Sequence, residues 1–399
     1  MRAILIKGQS VYDATRVFVD ELADALTRRG IAPVIIDATT EADFGGALAR
    51  ASAARDVAFV YSICIAGEWR DGVGRTIGQI CGAPHILQHV DYPLTHLPRL
   101  EQAPPDTVIL TIDPSHVDSL TSVCGPSRFA HVGFCPHAAV GEAAPPEPDA
   151  DAFAAARDIP ILFTGTWYRP ATPSWHSLDG GVRKLVDNAW QIAVGQEFIP
   201  ALTALDQAMR AAGLDPKDPQ FAGFRTLASA IHEQVRAHRR ELLLKTAARI
   251  RLPIHVYGRG WEAAQAEFPN LILGGEANLH EAVALMRRAR VVLNVNANFG
   301  AGSHERPLTA MLAGAVAASD HSRFWAEAFD DGREIALYRW KSLETGLHRI
   351  AGLADDPTRA YPIARAGQAK ALAGHTWDHR VDTLLAAAQA GRAKVARAA

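Results

Sequence analysis

Three groups of residues in this chain have types and spacings suited to chemistry. The first lies in "NVNANFGAGSHERPLTAMLAGAVAASD", from Asn294 to Asp320. This stretch begins as an apolar strand, breaks into a polar loop and resumes as an apolar helix near Pro307, a residue type favoured in a first helical turn. Ser303, His304, Glu305 and Arg306 then fall at a helix mouth beyond a strand, where free N–H groups and the helix dipole attract anions. Asn294, Asn296 and Asn298 alternate along the strand end and can hydrogen-bond a sugar; turn formation explains Asn298 equally well. A zinc-protease helix is excluded, because it needs histidines at i and i+4 and the fourth residue after His304 is Leu308.

The second group sits at two other strand ends. "FTGTWYRP" places Gly165 and Arg169 there, and "VYGRGW" places Gly258, Arg259, Gly260 and Trp261. Glycine admits close backbone approach, arginine binds phosphate and an indole stacks on a base. These glycines make neither a Walker loop nor a dinucleotide fingerprint. The third group can accept a proton. His89 and Asp91 in "QHVDYP" alternate and so share one face at a strand end. Asp13 in "GQSVYDA" reads as a helix N-cap or as an acid/base group, with capping favoured. His137 in "CPHAA" stands just before the connection between the two halves of the chain.

The elements that position these groups follow from hydrophobic patterning. "AILIK", "APVIID", "DVAFVYSI", "PHILQHV", "TVILTID" and "FAHVGFCPHAAV" read as strands of a first half, their near-continuous apolar character suiting a covered parallel sheet. Between the first two, Val17, Phe18, Leu22, Ala25 and Leu26 recur at helical spacing. "GEAAPPEPDADAFAAARD" has the composition of an exposed connection. "IPILFTG", "LPIHVYG", "LILGG", "ARVVLNVN", "GAVAASD" and "EIALY" then give a second doubly wound series, interrupted by a helical region from about 178 to 249. In that region "AGLDPKDPQFAG" breaks the helices. The basic stretch "HEQVRAHRRELLLKTAARIR" reads either as a basic surface for an anionic partner or as a solvated face, the latter favoured because Glu233 and Glu241 interrupt its charge.

Composition limits the function classes. A chain of 399 residues, 48% hydrophobic, has material for two cores. A net charge of −2 offers no global attraction for nucleic acid or an anionic membrane. No secretory signal or span of about 18 apolar residues is evident, so a cytoplasmic protein is expected. Cys64, Cys81, Cys124 and Cys135 contain no Cys-x-x-Cys pair and read as reduced core thiols.

"HEAVALMRRARVVLNVNANFGAGSHERPLTAMLAGAVAASD", then "DDGREIALYRW" and "AGHTWDHRVDTLL", resemble the donor domain of group-1-type glycosyltransferases, in particular the CgeB-like branch. "GQSVYDATRVFVDELADALTRRG" and "HVDYPL" resemble its N-terminal half more loosely. The resemblance implies an α/β fold of GT-B type, two Rossmann-like domains facing a cleft. An acceptor-binding domain would occupy residues 1 to about 145, with a C-terminal helix from about 378 packing back onto it and Trp377 anchoring the crossing. A nucleotide-sugar domain would run from about 158 to 377, including the helical insertion.

The resemblance further implies a hexosyltransferase-type enzyme using a nucleoside-diphosphate sugar as co-substrate, with no metal and no other cofactor. Arg306 would face the diphosphate, and His137 would lie near the cleft histidine of the family. Many relatives carry two glutamates across this loop; here Ala301 and Thr309 stand in their places. Thr309 would then offer a hydroxyl to the ribose. Glu305 would either take part of the lost role or serve as a first-turn acid stabilised by the dipole. The acceptor (glycan, protein or small molecule) and the stereochemistry stay open, as do two alternatives: a nucleotide-sugar epimerase and a non-catalytic nucleotide-sugar-binding scaffold.

Overall fold

The structure, a computed structural model, describes residues 1–168, 171–296 and 298–398. The chain divides into two compact units: Met1–Val140 with Thr376–Ala399, and Gly141–His375. In the first, β1 (Arg2–Lys7), β2 (Ala32–Asp37), β3 (Val57–Ile63), β4 (His85–His89), β5 (Val108–Thr111) and β6 (His131–Phe134) form one sheet, ordered β2-β1-β3-β4-β5-β6. Every pairing is parallel. Ala3, Ile4, Leu5 and Ile6 are all buried, as expected of a strand covered on both faces.

The helix Ala14–Arg28 turns Val17, Phe18, Leu22, Ala25 and Leu26 inward. The helix Trp377–Ala398 packs along it and over β3 to β6. Trp377 is buried with its ring 5.9 Å from that of Phe18, and Asp378 takes a two-pronged hydrogen bond from Arg28 at 2.9 and 2.7 Å.

The second unit holds β7 (Ile159–Thr164), β8 (Ile254–Tyr257), β9 (Leu271–Leu273), β10 (Ala289–Leu293), β11 (Val316–Asp320) and β12 (Ala336–Tyr338), ordered β12-β11-β10-β7-β8-β9. All are parallel. Read from β9, this is the doubly wound order 3-2-1-4-5-6. Helices Gly180–Val194, Ala201–Ala211 and Ala228–Arg249 are inserted between β7 and β8.

The stretch after Gly141 departs from the open connection that its prolines and acids suggest. Asp149 caps the helix Ala150–Ala156, Phe153 is fully buried, and the Ala144 N–H donates to Leu312 O at 2.8 Å. Arg157, 1% exposed, bonds the carbonyls of Arg287, Ala289 and Ala313 and the carboxylate of Glu147. One guanidinium thus satisfies carbonyls at the ends of two helices, and composition gave no sign of it.

Candidate functional site

The strand order of the second unit reverses at β7. From β7 the chain moves outward to β8 and β9, then crosses to β10 on the other side, and ligands of open α/β sheets collect beyond the carboxyl ends of such a pair. Gly165 follows β7 and Asn294 follows β10. The structure brings Arg306 to both. Its Nη1 donates to Asn294 Oδ1 at 2.8 Å, and a side-chain carbon built at Gly165 would lie 3.6 Å from its Nη2.

The loop from Asn294 to His304 is held by internal hydrogen bonds. Asn294 Nδ2 donates to Ser319 Oγ at 3.0 Å. Asn296 is 1% exposed; its Nδ2 donates to Phe299 O and Gly302 O, its Oδ1 accepts from the His304 N–H, and its own N–H donates to Asp320 Oδ1 at 2.6 Å. Asn296 therefore organises the loop, which corrects the expectation that it contacts a sugar. Burial raises the Asp320 carboxyl to about 6, against the favourable N–H of Asn296 and the charge of Arg239.

The helix Glu305–Leu312 starts beyond this loop, with His304 in extended conformation at its N-cap. His304 Nδ1 contacts the Glu305 carboxylate, and Glu305 is nearly buried at the first position of the helix. Burial lowers the pKa of His304, the charge of Glu305 opposing it and that of Arg306 adding to it. Burial also lowers that of Arg306, with Glu305 opposing and Arg236 reinforcing. Ser303 Oγ is buried without a hydrogen-bond partner among the described residues. Thr309 is fully buried on the core side of the helix, so the expected ribose contact through its hydroxyl is corrected.

At the ends of β7 and β8 the two backbones touch. The Gly165 N–H donates to Tyr257 O and the Trp167 N–H to Arg259 O, both at 2.8 Å. Gly258 and Gly260 have φ of +132° and +82°, and side-chain carbons there would sit 2.2 Å from Gly165 O and 2.6 Å from Trp167 O. Glycine thus serves contact between loops here. Trp261 is 2% exposed, stacks on Trp167 with centroids 5.9 Å apart and donates its indole N–H to Gly165 O at 2.7 Å. Its expected stacking on a base is corrected: the ring is core. Tyr168 is the exposed aromatic of this loop, at 60%. Arg259 points outward and pairs with Glu276 at 2.9 Å. Arg169 lies outside the described residues.

The basic helix Ala228–Arg249 is where sequence reasoning missed functional candidates. Arg239 and Arg240 are 3% and 7% exposed. Arg239 donates to Asn298 Oδ1 at 3.0 Å and Glu197 O at 2.8 Å, and lies over the Trp340 ring. Arg240 donates to Thr166 O. Burial, with the like charges of Arg236 and Arg306, lowers Arg240 to about 9, still cationic near neutrality. A signal for Arg239 was present: Ile231, Val235, Arg239, Leu243 and Ala247 recur every fourth residue, which puts Arg239 in the buried apolar row.

In the first unit the proton-accepting candidates separate by access. His89 is 2% exposed, its Nε2 has no partner, and burial lowers it to about 3, the nearby His96 adding to that shift. Asp91 is exposed, with its Oδ2 3.6 Å from His96 Nε2, a partner the sequence reading did not single out. Asp13 takes the cap position of the helix Ala14–Arg28 at φ 57° but makes no cap hydrogen bond; Ser10 Oγ instead accepts from the Thr15 N–H at 2.9 Å. His137 is 3% exposed against Phe18, and its carbonyl accepts from Arg380. That burial corrects the catalytic reading of His137.

Comparison with known proteins places this geometry. Residues 236–386, which include Arg240, the Asn296 loop and Arg306, match a family described as glycosyl transferase-like. Sucrose-phosphate synthase from Thermosynechococcus elongatus is similar over 96% of this chain and 97% of that one, with 11% identity and a TM-score of 0.55. HepE from Anabaena, solved with UDP and glucose, has 10% identity and a TM-score of 0.46 over 96% and 98%. TarM, known from S. aureus, has 8% identity and a TM-score of 0.41 over 76% of this chain; this chain spans 54% of TarM. No curated protein sequence matches significantly. Two parallel six-stranded sheets of these orders, with the likeness to the synthase, define the GT-B glycosyltransferase fold.

Proposed function

We propose that this chain is a metal-independent glycosyltransferase of the CgeB-like branch, moving a sugar from a nucleoside-diphosphate sugar to an acceptor hydroxyl or amide. The observation that carries this reading is Arg306, held by Asn294 and lying against Gly165 where the strand order of a GT-B unit reverses. As the glycosidic bond breaks, its electron pair leaves with the diphosphate, and a fixed guanidinium there stabilises the growing negative charge. In the first unit the exposed Asp91 carboxylate, with His96 beside it, is suited to take the proton of an acceptor hydroxyl or amide. Neutral His89 is suited to hydrogen bonding rather than to proton abstraction.

A thermal-shift series with UDP, GDP, ADP, CMP, dTDP and their sugar conjugates, with and without EDTA, tests this. A ligand at a hundred times its dissociation constant stabilises the fold by about 2.7 kcal/mol. An EDTA-insensitive shift is expected; a shift that EDTA abolishes refutes metal independence. The burial of Thr309 and the alanine at 301 favour one second reading, a binding protein without turnover. Nucleotide binding without sugar transfer or donor hydrolysis would select it.

A further inference from the structure

Two guanidiniums reach consecutive residues after β7: Arg306 Nη2 lies beside Gly165 and Arg240 Nη1 donates to Thr166 O. They come from separate parts of the unit, Arg306 from the helix beyond β10 and Arg240 from the inserted helix Ala228–Arg249. Arg240 is 7% exposed and its Nε has no hydrogen-bond partner among the described residues. Besides each other, the groups that act on the pair are Arg236, Tyr168, Glu233 and Glu305. Glu233 is 3.6 Å from Arg236, and Glu305 also contacts His304. Among the described residues, three guanidiniums therefore stand with two carboxylates that already have cationic or histidine neighbours. A buried cation left without a close counter-charge is costly, and its field is little screened by salt.

We infer that Arg240 is a specificity-determining residue of this site, supplying the cation that selects a diphosphate over a single phosphate; the inference rests on the nucleotide-sugar reading. The insertion is thereby part of the binding site. Arg306 at the helix mouth and Arg240 beneath the β7 loop give two cations from two directions, which suits two linked phosphates.

The test is calorimetric titration of the full chain with inorganic pyrophosphate, inorganic phosphate and the nucleoside diphosphates, comparing wild type with Arg240→Met and Arg240→Lys. Loss of a buried cation beside the site, whose field is little screened, should weaken pyrophosphate roughly tenfold or more. Phosphate should weaken much less, and lysine should restore part of the loss. An unchanged pyrophosphate-to-phosphate ratio in folded Arg240→Met overturns the inference, even where nucleotides bind. Nucleotide binding without pyrophosphate binding overturns the inference and leaves the nucleotide-sugar reading standing; absence of all nucleotide binding sinks that reading and the inference with it. If Arg240→Met does not fold, hydrogen exchange on the wild type decides. Protection of residues 236–240 by pyrophosphate supports the inference, and protection confined to residues 294–306 overturns it.

Discussion

Arg306 bonds a side chain at the end of a neighbouring strand and retains partial exposure, so its loss removes a charge without opening the core. Arg306→Ala is expected to reduce sugar transfer by about a hundredfold or more, with a melting temperature within a few degrees of wild type. Full activity in that variant rejects the phosphate assignment. Asp91→Asn should likewise slow transfer about a hundredfold while nucleotide affinity stays unchanged; parallel loss of both would deny Asp91 a role in proton transfer.

Asp320 gives a pH prediction. Its folded pKa of about 6 lies above the unfolded value near 3.9, so the folded state binds the proton more tightly. The associated stability is present below about pH 4 and is lost as pH rises through about 6, an effect on the order of 3 kcal/mol. Denaturation measured from pH 4 to 7 should show this slope in the wild type and a flatter one in Asp320→Asn. Equal slopes would place Asp320 outside the effect. At this scale the sequence located the loop but did not foresee the burial of Asn296, Thr309 and Trp261. Each has the right chemistry at the right address, and the direction of its side chain is decided by tertiary packing.

Among elements, all twelve expected strands form, because covered parallel strands carry near-continuous apolar runs that need no partner to be recognised. Their order was not legible, since it depends on crossovers that leave no local mark. The inserted helix shows the same division: its helicity is local, whereas its rotation, which buries Arg239 and Arg240, follows from the apolar row it shares. Two substitutions test elements directly. Ser10→Ala should cost about 1 kcal/mol by uncapping the helix Ala14–Arg28, whereas Asp13→Gly, which tolerates the positive φ of that position, should not; the reverse ranking would return the cap to Asp13. Gly260→Ala should cost about 2 kcal/mol or more, because the new carbon meets Trp167 O at positive φ. Unchanged stability there would mean that the two loops separate freely.

For the whole molecule, composition and patterning indicated two doubly wound units and the family resemblance implied a C-terminal helix returning to the first; in the structure Thr376–Ala399 groups with Met1–Val140. Trp377, Val381, Leu384, Ala387 and Ala388 are buried. The helix carrying them covers sheet residues that would otherwise meet water. Removal of residues 376–399 should abolish the cooperative melting of the first unit while leaving a transition for the second, as read by calorimetry. Retention of both transitions would show the helix to be dispensable. A growing chain emits β1 to β6 long before the helix Trp377–Ala398, with the entire second unit made in between. During synthesis the later unit can reach its native state ahead of the earlier one, and the first sheet waits with an uncovered apolar face. Chaperone demand for this protein should therefore fall on its N-terminal half.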